Sequence, residues 1–219
     1  MSAESGLRTF RDGDGLWEEY RIEDVATPNA WEADKEKVMR FYNERRKQIL
    51  AAKPNEGHQI LADLQEKFDV QIITQNIDDL HERGGAKKVL HLHGEIVKSR
   101  SSRDPNLIFP VKGWEMKPGE KCPLGSELRP HIVWFGEQVP EMDYAMGLCS
   151  EADIFVTIGT SLLVYPAAGL IHAAPAKASK YLIDPGNFDQ KLPLGIIHYC
   201  KRAVEGIRLL REDLEKLYI

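Results

Sequence analysis

The sequence predicts an α/β fold with a parallel sheet and helices on both of its faces. Short apolar runs alternate with helical stretches along the chain, and each run ends at turn or helix-capping residues. The runs are almost continuously apolar, which is typical of strands buried on both faces. Polar clusters follow several of them, and ligands in such sheets bind beyond the carboxyl ends of the strands. We therefore expect a ligand site built from these clusters.

The individual elements follow from the same pattern. Apolar runs bounded by turn residues predict strands, here at 70–74, 89–93, 132–135, 154–158 and 181–183. The predicted helices between them span 35–52, 58–67, 142–150, 167–173 and 203–217.

Two segments break this alternation and predict a second, smaller module. Leu16 to Pro54 is mostly helical and strongly charged, and Ser99 to Arg129 is rich in Lys, Ser, Pro and Gly. We expect a sheet domain formed by residues 1–15, 58–98 and 130–219, and an inserted module formed by 16–57 and 99–129.

Composition and charge exclude several classes of function. The 219 residues include 29 Lys and Arg against 34 Asp and Glu, a formal charge of -5. Without a basic block, binding to nucleic acid or to an anionic membrane has no electrostatic support. The 3 cysteines lie far apart in sequence, which indicates a reducing compartment. Residues 154–176 lack acidic and basic residues but contain prolines and glycines, so we expect strand, turn and helix there, in a cytoplasmic protein.

Two polar clusters follow predicted strands. Gln75, Asn76 and Asp78 follow the first strand, where amides can both donate to and accept from a carboxamide or a ribose hydroxyl. A turn whose Asn or Asp caps the next helix is the alternative. Gly159, Thr160 and Ser161 suit phosphate or ribose binding through backbone N–H groups. The chain has no complete G-x-G-x-x-G motif, which argues against hydride transfer.

His91 and His93 lie two residues apart, and His93 abuts Gly94 at the end of a predicted strand. An imidazole has a pKa close to the operating pH, as a general base requires. A hydrogen-bonded strand histidine is the alternative, and two histidines alone are weak evidence for a metal. Cys122 has no second cysteine at a C-x-x-C interval, so we expect no structural metal.

Tyr42 and Arg45 are three residues apart on a predicted helix and share one face. An exposed arginine paired with Glu44 or Glu36 is one interpretation. The other is a clamp for a carboxylate, because a guanidinium and a phenol are suitable donors.

Taken in order, these clusters resemble the sirtuins, which are NAD-dependent protein lysine deacylases. The residues that carry the resemblance are Ser2 to Arg11, Thr74 to His81, His93-Gly94, Arg129 to Glu137 and Gly159 to Ala168. It covers essentially the whole chain and implies a dinucleotide-binding, Rossmann-like sheet. NAD would be a consumed co-substrate and acyl-lysine proteins or peptides the substrates, with nicotinamide and O-acyl-ADP-ribose as products.

The resemblance also assigns site residues. His93 matches the general base that acts on the ribose hydroxyl. The matches to NAD-binding residues are Phe10, Arg11, Gln75, Asn76, Ile77, Asp78, Gly159, Thr160, Ser161, Asp184, Pro185, Gly186 and Ala203. The segment that would pair with the substrate backbone contains Val133, Phe135, Gly136 and Glu137.

Phe41 to Arg46 resembles the bacterial-type branch that acts on acidic acyl groups. There, residues matching Tyr42 and Arg45 bind a succinyl or malonyl carboxylate, and a small residue matching Ala26 leaves room for it.

The sequence departs from the family pattern at two places. Ser101 and Asp104 stand where most members have zinc cysteines, and only Cys122 remains near the second pair. We expect a zinc-free module that packs through Leu107, Ile108, Phe109 and Trp114. The family's first strand and Gly-Ala-Gly turn precede the position of Met1, so we expect Met1 to be an internal methionine.

Two other interpretations stay open. One is a non-catalytic, truncated chain that binds NAD or ADP-ribose. The other is a protein ADP-ribosyltransferase, which uses the same nucleotide chemistry.

Overall fold

The computed structural model describes residues 1–8, 16–17, 20–160, 166–186 and 195–218. The strands within these ranges are β1 (Leu16–Trp17), β2 (Tyr20–Arg21), β3 (Ile72–Thr74), β4 (Val89–His91), β5 (Gly94–Ser101), β6 (Ile108–Pro110), β7 (Leu128–Ile132), β8 (Ile154–Ile158), β9 (Ser179–Ile183) and β10 (Ile196–Tyr199). The helices are α1 (Ile22–Val25), α2 (Pro28–Ala33), α3 (Lys35–Ala51), α4 (Glu56–Leu64), α5 (Leu80–Arg83), α6 (Met142–Ser150), α7 (Leu170–Ala173) and α8 (Ala203–Tyr218). Short 3-10 turns cover Ser2–Ser5 and Ala167–Gly169.

Two parallel sheets form the larger part of the structure. One has the strand order β10-β9-β8, and the other pairs β3 with β4. Side chains alternate between the two faces of a strand. Phe155 of β8 accordingly packs in the cluster that includes α6 and α7, whereas Val156 packs in the cluster of α4 and α8. Ile73 and Ile72 of β3 divide between the same two clusters. The predicted α/β fold with helices on both faces is confirmed.

Helix ends are set by local capping. The Asn55 side chain accepts from Gly57 and His58 backbone N–H groups, and the His58 ring accepts in return from the Asn55 N–H, which makes a reciprocal capping box at the start of α4. Asp34 caps α3 by accepting from the Lys37 N–H at 2.9 Å. The last helix packs tightly on the sheet, because a Cβ on Gly206 would lie 2.2 Å from the Ile183 side chain.

A three-stranded antiparallel sheet has the order β6-β5-β7. Strands β5 and β7 run across the predicted boundaries at 98/99 and 129/130. The predicted small module is therefore continuous with the residues that follow β4. The division of the chain into two domains stays a prediction.

Buried polar contacts join α3 to β5 and to the loop that contains Trp114 and Met116. The fully buried Arg46 donates to the backbone carbonyls of Ile96, at 2.6 Å, and Trp114, at 2.8 Å. Asn43 accepts from the Met116 N–H at 3.0 Å. The expectation of packing through Ile108 and Trp114 is wrong, because these side chains are 43% and 37% exposed. Buried Ile96 and Met116 take their place.

Several strand predictions differ from the structure, and strands β5 and β6 were not predicted. A strand was predicted at 132–135, but the observed strand β7 ends at Ile132. The residues that follow it bond to two different segments instead of one neighbouring strand. Strand β10 was not predicted, and it extends the sheet by pairing parallel with β9. Within the described ranges, every helix is too short or too polar to span a bilayer.

Candidate active site

The loop that follows β3 brings predicted cofactor-binding side chains together. The Asn76 side-chain amide donates to the Ser2 hydroxyl at 2.8 Å, and its backbone N–H donates to the Thr74 hydroxyl at 3.1 Å. Asp78 is 4% exposed and accepts from the Leu80 N–H at 3.2 Å. Burial raises the pKa of Asp78, although a hydrogen bond with Ser2 opposes the rise. Asp78 therefore satisfies the N–H of the first residue of α5, and its side chain also bonds to Ser2, the partner of Asn76.

His93 lies two residues after the end of β4, and its Nδ1 is 3.1 Å from the Gln75 carbonyl oxygen. A carbonyl oxygen only accepts, so we assign the ring proton to Nδ1 and the basic lone pair to Nε2. Burial lowers the pKa of His93, with the Gln75 bond opposing. The imidazole is therefore neutral at pH 7 and suited to accept a proton. This bond also satisfies the alternative of a hydrogen-bonded histidine, and the two roles are compatible.

Gly94 allows the chain to turn closely past its neighbour. Its φ is 78°, and a Cβ there would lie 2.1 Å from the His131 carbonyl oxygen. The Val133 N–H then donates to the His93 carbonyl at 3.0 Å. His93 is thus held between the Gln75 loop on one side and the segment from Val133 on the other.

The predicted substrate segment is fixed by a backbone hydrogen bond to the residue that follows α1. The Phe135 N–H donates to the Ala26 carbonyl at 2.9 Å, and Gly136 has a φ of 89°. Ala26 is buried, while the Phe135 side chain is 47% exposed. The segment therefore presents an apolar side chain to solvent above a fixed backbone.

The carboxylate of Glu137 accepts several hydrogen bonds inside this segment. Arg129 donates to it at 2.7 Å, Arg100 at 3.1 Å and the Trp134 N–H at 2.8 Å. Burial raises the pKa of Glu137, but the bonds from Arg129 and the Trp134 N–H outweigh it and hold that pKa below its ordinary value. The Arg129 guanidinium also stacks 3.3 Å from the centre of the Trp134 ring. The side chain of Glu137 thus holds this segment in shape, together with the bonds that the Val133 and Phe135 N–H groups make within the chain.

Tyr42 and Arg45 lie one turn apart on α3, and both are buried. The Tyr42 hydroxyl accepts from the Trp134 indole N–H at 3.0 Å, and burial raises the pKa of Tyr42. Arg45 donates to the Arg8 backbone carbonyl and to the Gln48 side chain. The interpretation of Arg45 as an exposed surface arginine is wrong, because only 6% of the residue is accessible.

Three further predicted residues lie at the carboxyl ends of β8 and β9 and at the start of α8. Gly159 has a φ of 59°, and its N–H donates to the Ile183 carbonyl at 2.8 Å. The buried Asp184 accepts from the Gly186 N–H at 2.8 Å, across Pro185. Ala203 begins α8, where Glu4 accepts from the Val204 N–H at 3.2 Å. The Ser2–Ser5 turn therefore contacts both this end and the Asn76 loop.

Three predicted contacts lie outside the described residues, namely Phe10, Arg11 and Ser161. Thr160 is half-buried and is the last described residue of the turn after β8. Ser2 and Glu82 belong to the site's surroundings and were not predicted as site residues. Ser2 could have been selected from the Ser2 to Arg11 motif itself, whereas nothing in the sequence marks Glu82.

Hydroxyl and thiol groups form a cluster within the predicted small module. Ser101 and Ser126 share a hydrogen bond of 2.6 Å, and Cys122 Sγ lies 3.0 Å from the Ser126 hydroxyl. Ser101 also accepts from the Arg103 and Asp104 N–H groups. Across the described ranges, no three His, Cys, Asp or Glu side chains are grouped to hold a metal ion.

Comparisons with known proteins agree with this arrangement. The Sir2 family pattern matches residues 1–166. An NAD-dependent protein deacylase of Bacteroides thetaiotaomicron is 51% identical over 219 residues, which covers 98% of this chain and 94% of that protein. One from Helicobacter pylori is 46% identical over 216 residues, covering 98% of this chain and 93% of its own length.

Solved structures agree as well. A Sir2 homolog–NAD complex superposes with a TM-score of 0.87 at 38% identity, covering 98% of this chain and 86% of that one. A Sir2 mutant with deacetylated p53 peptide and 3'-O-acetyl ADP-ribose gives a TM-score of 0.80 at 32% identity, covering 97% and 89%. With sequence, fold and site in agreement, the chain belongs to the Sir2 family, the sirtuins.

Proposed function

We propose that this chain is an NAD-dependent deacylase that removes acyl groups from lysine side chains of proteins. The observation that carries the proposal is the position of His93. A neutral imidazole with its proton on Nδ1 lies between a loop of amide and carboxyl groups and the segment after β7, which resembles the part of sirtuins that binds the substrate peptide. The relatives named NAD-dependent protein deacylase match nearly the whole chain, and the Sir2 structures carry NAD or ADP-ribose.

The residues present fit NAD at two places, the loop after β3 and the turns after β8 and β9. At these turns, Gly159 has no side chain to obstruct a phosphate, and the buried carboxylate of Asp184 can accept from a ribose hydroxyl. Asn76 and Asp78 offer an amide and a carboxyl group to the nicotinamide end. NAD, when bound, supplies the ADP-ribose that takes the acyl group as nicotinamide leaves.

The chain's own contribution is to orient, exclude water and move one proton. His93 Nε2 accepts the proton of a ribose hydroxyl, and the Gln75 carbonyl stabilises the ring by accepting from Nδ1. The backbone of Val133 to Gly136 aligns the acyl-lysine by strand addition. Trp134 and Tyr42, both buried, provide a dry apolar floor below the lysine.

We also propose a preference for acidic acyl groups. Arg45 is a buried cation, and its guanidinium bonds include those to the Arg8 carbonyl and the Gln48 side chain. A carboxylate entering beside it would form a charge-assisted bond, which is about twice as strong as a neutral one. The small Ala26, on the segment bonded to Phe135, leaves room for the acyl chain.

The experiment follows nicotinamide release from one peptide carrying acetyl-, malonyl- or succinyl-lysine. In Arg45→Met, kcat/KM for the succinyl peptide should fall about 10- to 150-fold more than for the acetyl peptide, since a bond to a charged group contributes about 1.5–3 kcal/mol. Arg40→Met, an exposed position on the same helix, is the matched control and should alter neither.

Each result has a definite meaning. Equal losses on both peptides would remove the acidic preference and leave the deacylase. NAD binding without nicotinamide release from any peptide would favour the non-catalytic alternative. Labelled ADP-ribose attached to protein, in place of free acyl-ADP-ribose, would favour ADP-ribosyl transfer.

We further propose that the small module needs no zinc. Its Ser101, Ser126 and Cys122 side chains bond to one another, and Arg46 holds the neighbouring loop to α3. Elemental analysis of the purified protein should find far less than one zinc per chain, and one equivalent would refute the proposal.

A further inference from the structure

The two histidines beside Gly94 hold two successive carbonyls of one loop. His93 Nδ1 lies 3.1 Å from the Gln75 oxygen, and His91 Nδ1 lies 3.2 Å from the Asn76 oxygen. Strand pairing sets this up, because His91 is the register partner of Thr74, just before the loop. The loop that carries Asn76 and Asp78 is therefore held by both imidazoles.

Their second nitrogens face different surroundings. His91 Nε2 lies 2.8 Å from the Glu82 carboxylate, and the His91 side chain is only 7% exposed. Both partners of His91, a carbonyl and a carboxylate, can only accept. Both hydrogen bonds exist together only when His91 is an imidazolium. His93 has a carbonyl at Nδ1 and serves as a base only when it is neutral. His91 and His93, which are two residues apart, therefore require opposite charge states.

The groups around His91 favour its charged form. Glu82 on α5, Glu95 on β5 and Asp78 in the loop are the carboxyl groups that act on it. Burial lowers the pKa of His91, but the Glu82 bond and these charges outweigh it and raise that pKa. The neighbouring His81 does not compete, because burial lowers its pKa to about 4 and leaves it neutral.

We propose that His91, as an imidazolium paired with Glu82, is a positioning residue that fixes the Asn76 carbonyl and so orients the loop that binds NAD. The inference rests on the proposed function for its kinetic consequence, but not for its geometry. Above the pH at which His91 loses its proton, one of its two bonds is lost and the loop loosens. KM for NAD should then rise on the alkaline side, while kcat changes less.

The first test observes the pairing directly and needs no turnover. In protein labelled with 15N-histidine, His91 should titrate above an ordinary histidine, and its titration should move to lower pH in Glu82→Gln. Glu95→Gln is the matched control: it removes a nearby carboxylate that bonds to Lys98 at 2.6 Å, and it should produce a smaller shift. Titration of His91 at or below the ordinary range in the unaltered protein would overturn the proposal.

The second test measures KM for NAD from pH 6 to 9 with a fixed acyl-peptide. Glu82→Gln keeps an acceptor for His91 but removes the charge, so the alkaline rise should begin at lower pH. His91→Gln cannot reach the charged state, and its KM for NAD should be raised about 2- to 12-fold across the range, as expected for one lost hydrogen bond.

Failure of the inference and failure of the proposed function look different. An active enzyme whose KM profile is the same in Glu82→Gln would overturn the positioning role and leave the deacylase intact. A protein that releases no nicotinamide would contradict the proposed function, while the labelled titration and calorimetric NAD binding would still decide the role of His91. A merely structural role would lower the thermal midpoint without moving the pH profile.

Discussion

Two groups of residues flank His93, and they are held in place by different kinds of side chain. We call them the cofactor wall, formed by the loop after β3, and the substrate wall, formed by the turn after β7. On the cofactor side, the Gln75–Asn76 loop is held by imidazoles and by the Ser2 hydroxyl. On the substrate side, the Trp134 turn is held by Arg100, Arg129 and Glu137, with Trp134 stacked on one guanidinium. Histidine changes charge near neutral pH, whereas arginine and a low-pKa glutamate do not. The comparison predicts that pH changes between 6 and 9 act on the cofactor side and leave the substrate side unchanged.

The working windows of the two walls follow from the direction of each shift. Glu137 has a lowered pKa, so its stabilisation is complete above the unfolded value of about 4.3 and is lost as the pH falls through the folded one. His91 has a raised pKa, so its stabilisation is complete below about 6.5 and is lost as the pH rises through the folded value. Acid should therefore weaken the substrate wall, and alkali the cofactor wall.

The largest effect on stability and activity is expected from a substitution of Gly94, which lies between the two walls. Gly94→Ala places a Cβ 2.1 Å from the His131 carbonyl oxygen at a positive φ of 78°. The free energy of unfolding should fall by about 3 kcal/mol or more, and nicotinamide release should be lost.

Gly113→Ala is the matched control for that variant. Its φ is also 78°, but nothing lies within 4 Å of the added Cβ. Backbone strain alone should cost about 1 kcal/mol, with activity retained. Equal destabilisation of the two variants in thermal or urea unfolding would show that the close approach at His131 carries no weight.

A smaller effect is expected from the substrate wall alone. Glu137→Gln leaves Arg100 and Arg129 without their shared carboxylate, and breaking such a buried pair costs about 3 kcal/mol. KM for the peptide should rise because the Trp134 turn loses its anchor, while KM for NAD should stay close to the original. A parallel rise in both constants would contradict the separation of the walls.

The smallest effect is expected at the edge of the cofactor wall. Ser2→Ala removes the acceptor of the Asn76 amide and should cost about 1 kcal/mol, with a rise of a few-fold in KM for NAD. Ser150→Ala removes an exposed hydroxyl that bonds within its own helix turn, and it should change neither stability nor KM. Isothermal calorimetry with NAD measures the difference without turnover.

How far the sequence predicted the structure depended on how local each interaction is. Strand β8 at 154–158 and helix α6 at 142–150 were predicted with the bounds that the structure has, because hydrophobic pattern and flanking turns are local signals. Strand β10 was missed, since its four residues contain a histidine and a tyrosine and form no clear apolar run. The resemblance to sirtuins, which rests on several ordered motifs, is confirmed by the family match.

Long-range polar contacts could not be predicted. Arg46 is fully buried because Ile96 and Trp114, distant in sequence, supply carbonyls to it. No property of the local helix indicates that. The charge state of His91 likewise depends on Glu82, which the fold brings to it from another element. The exposed Trp114 was assigned to the core for the same reason, because aromatic character alone does not reveal which neighbours will cover a side chain.

The central claim is that His93 works between a cofactor wall that responds to pH between 6 and 9 and a substrate wall that does not. The most direct measurement is KM for NAD and KM for an acetyl-lysine peptide, both determined from pH 6 to 9 on the unaltered protein. We expect KM for NAD to rise on the alkaline side while KM for the peptide stays flat. Two flat profiles, or a peptide KM that rises together with that for NAD, would contradict the account.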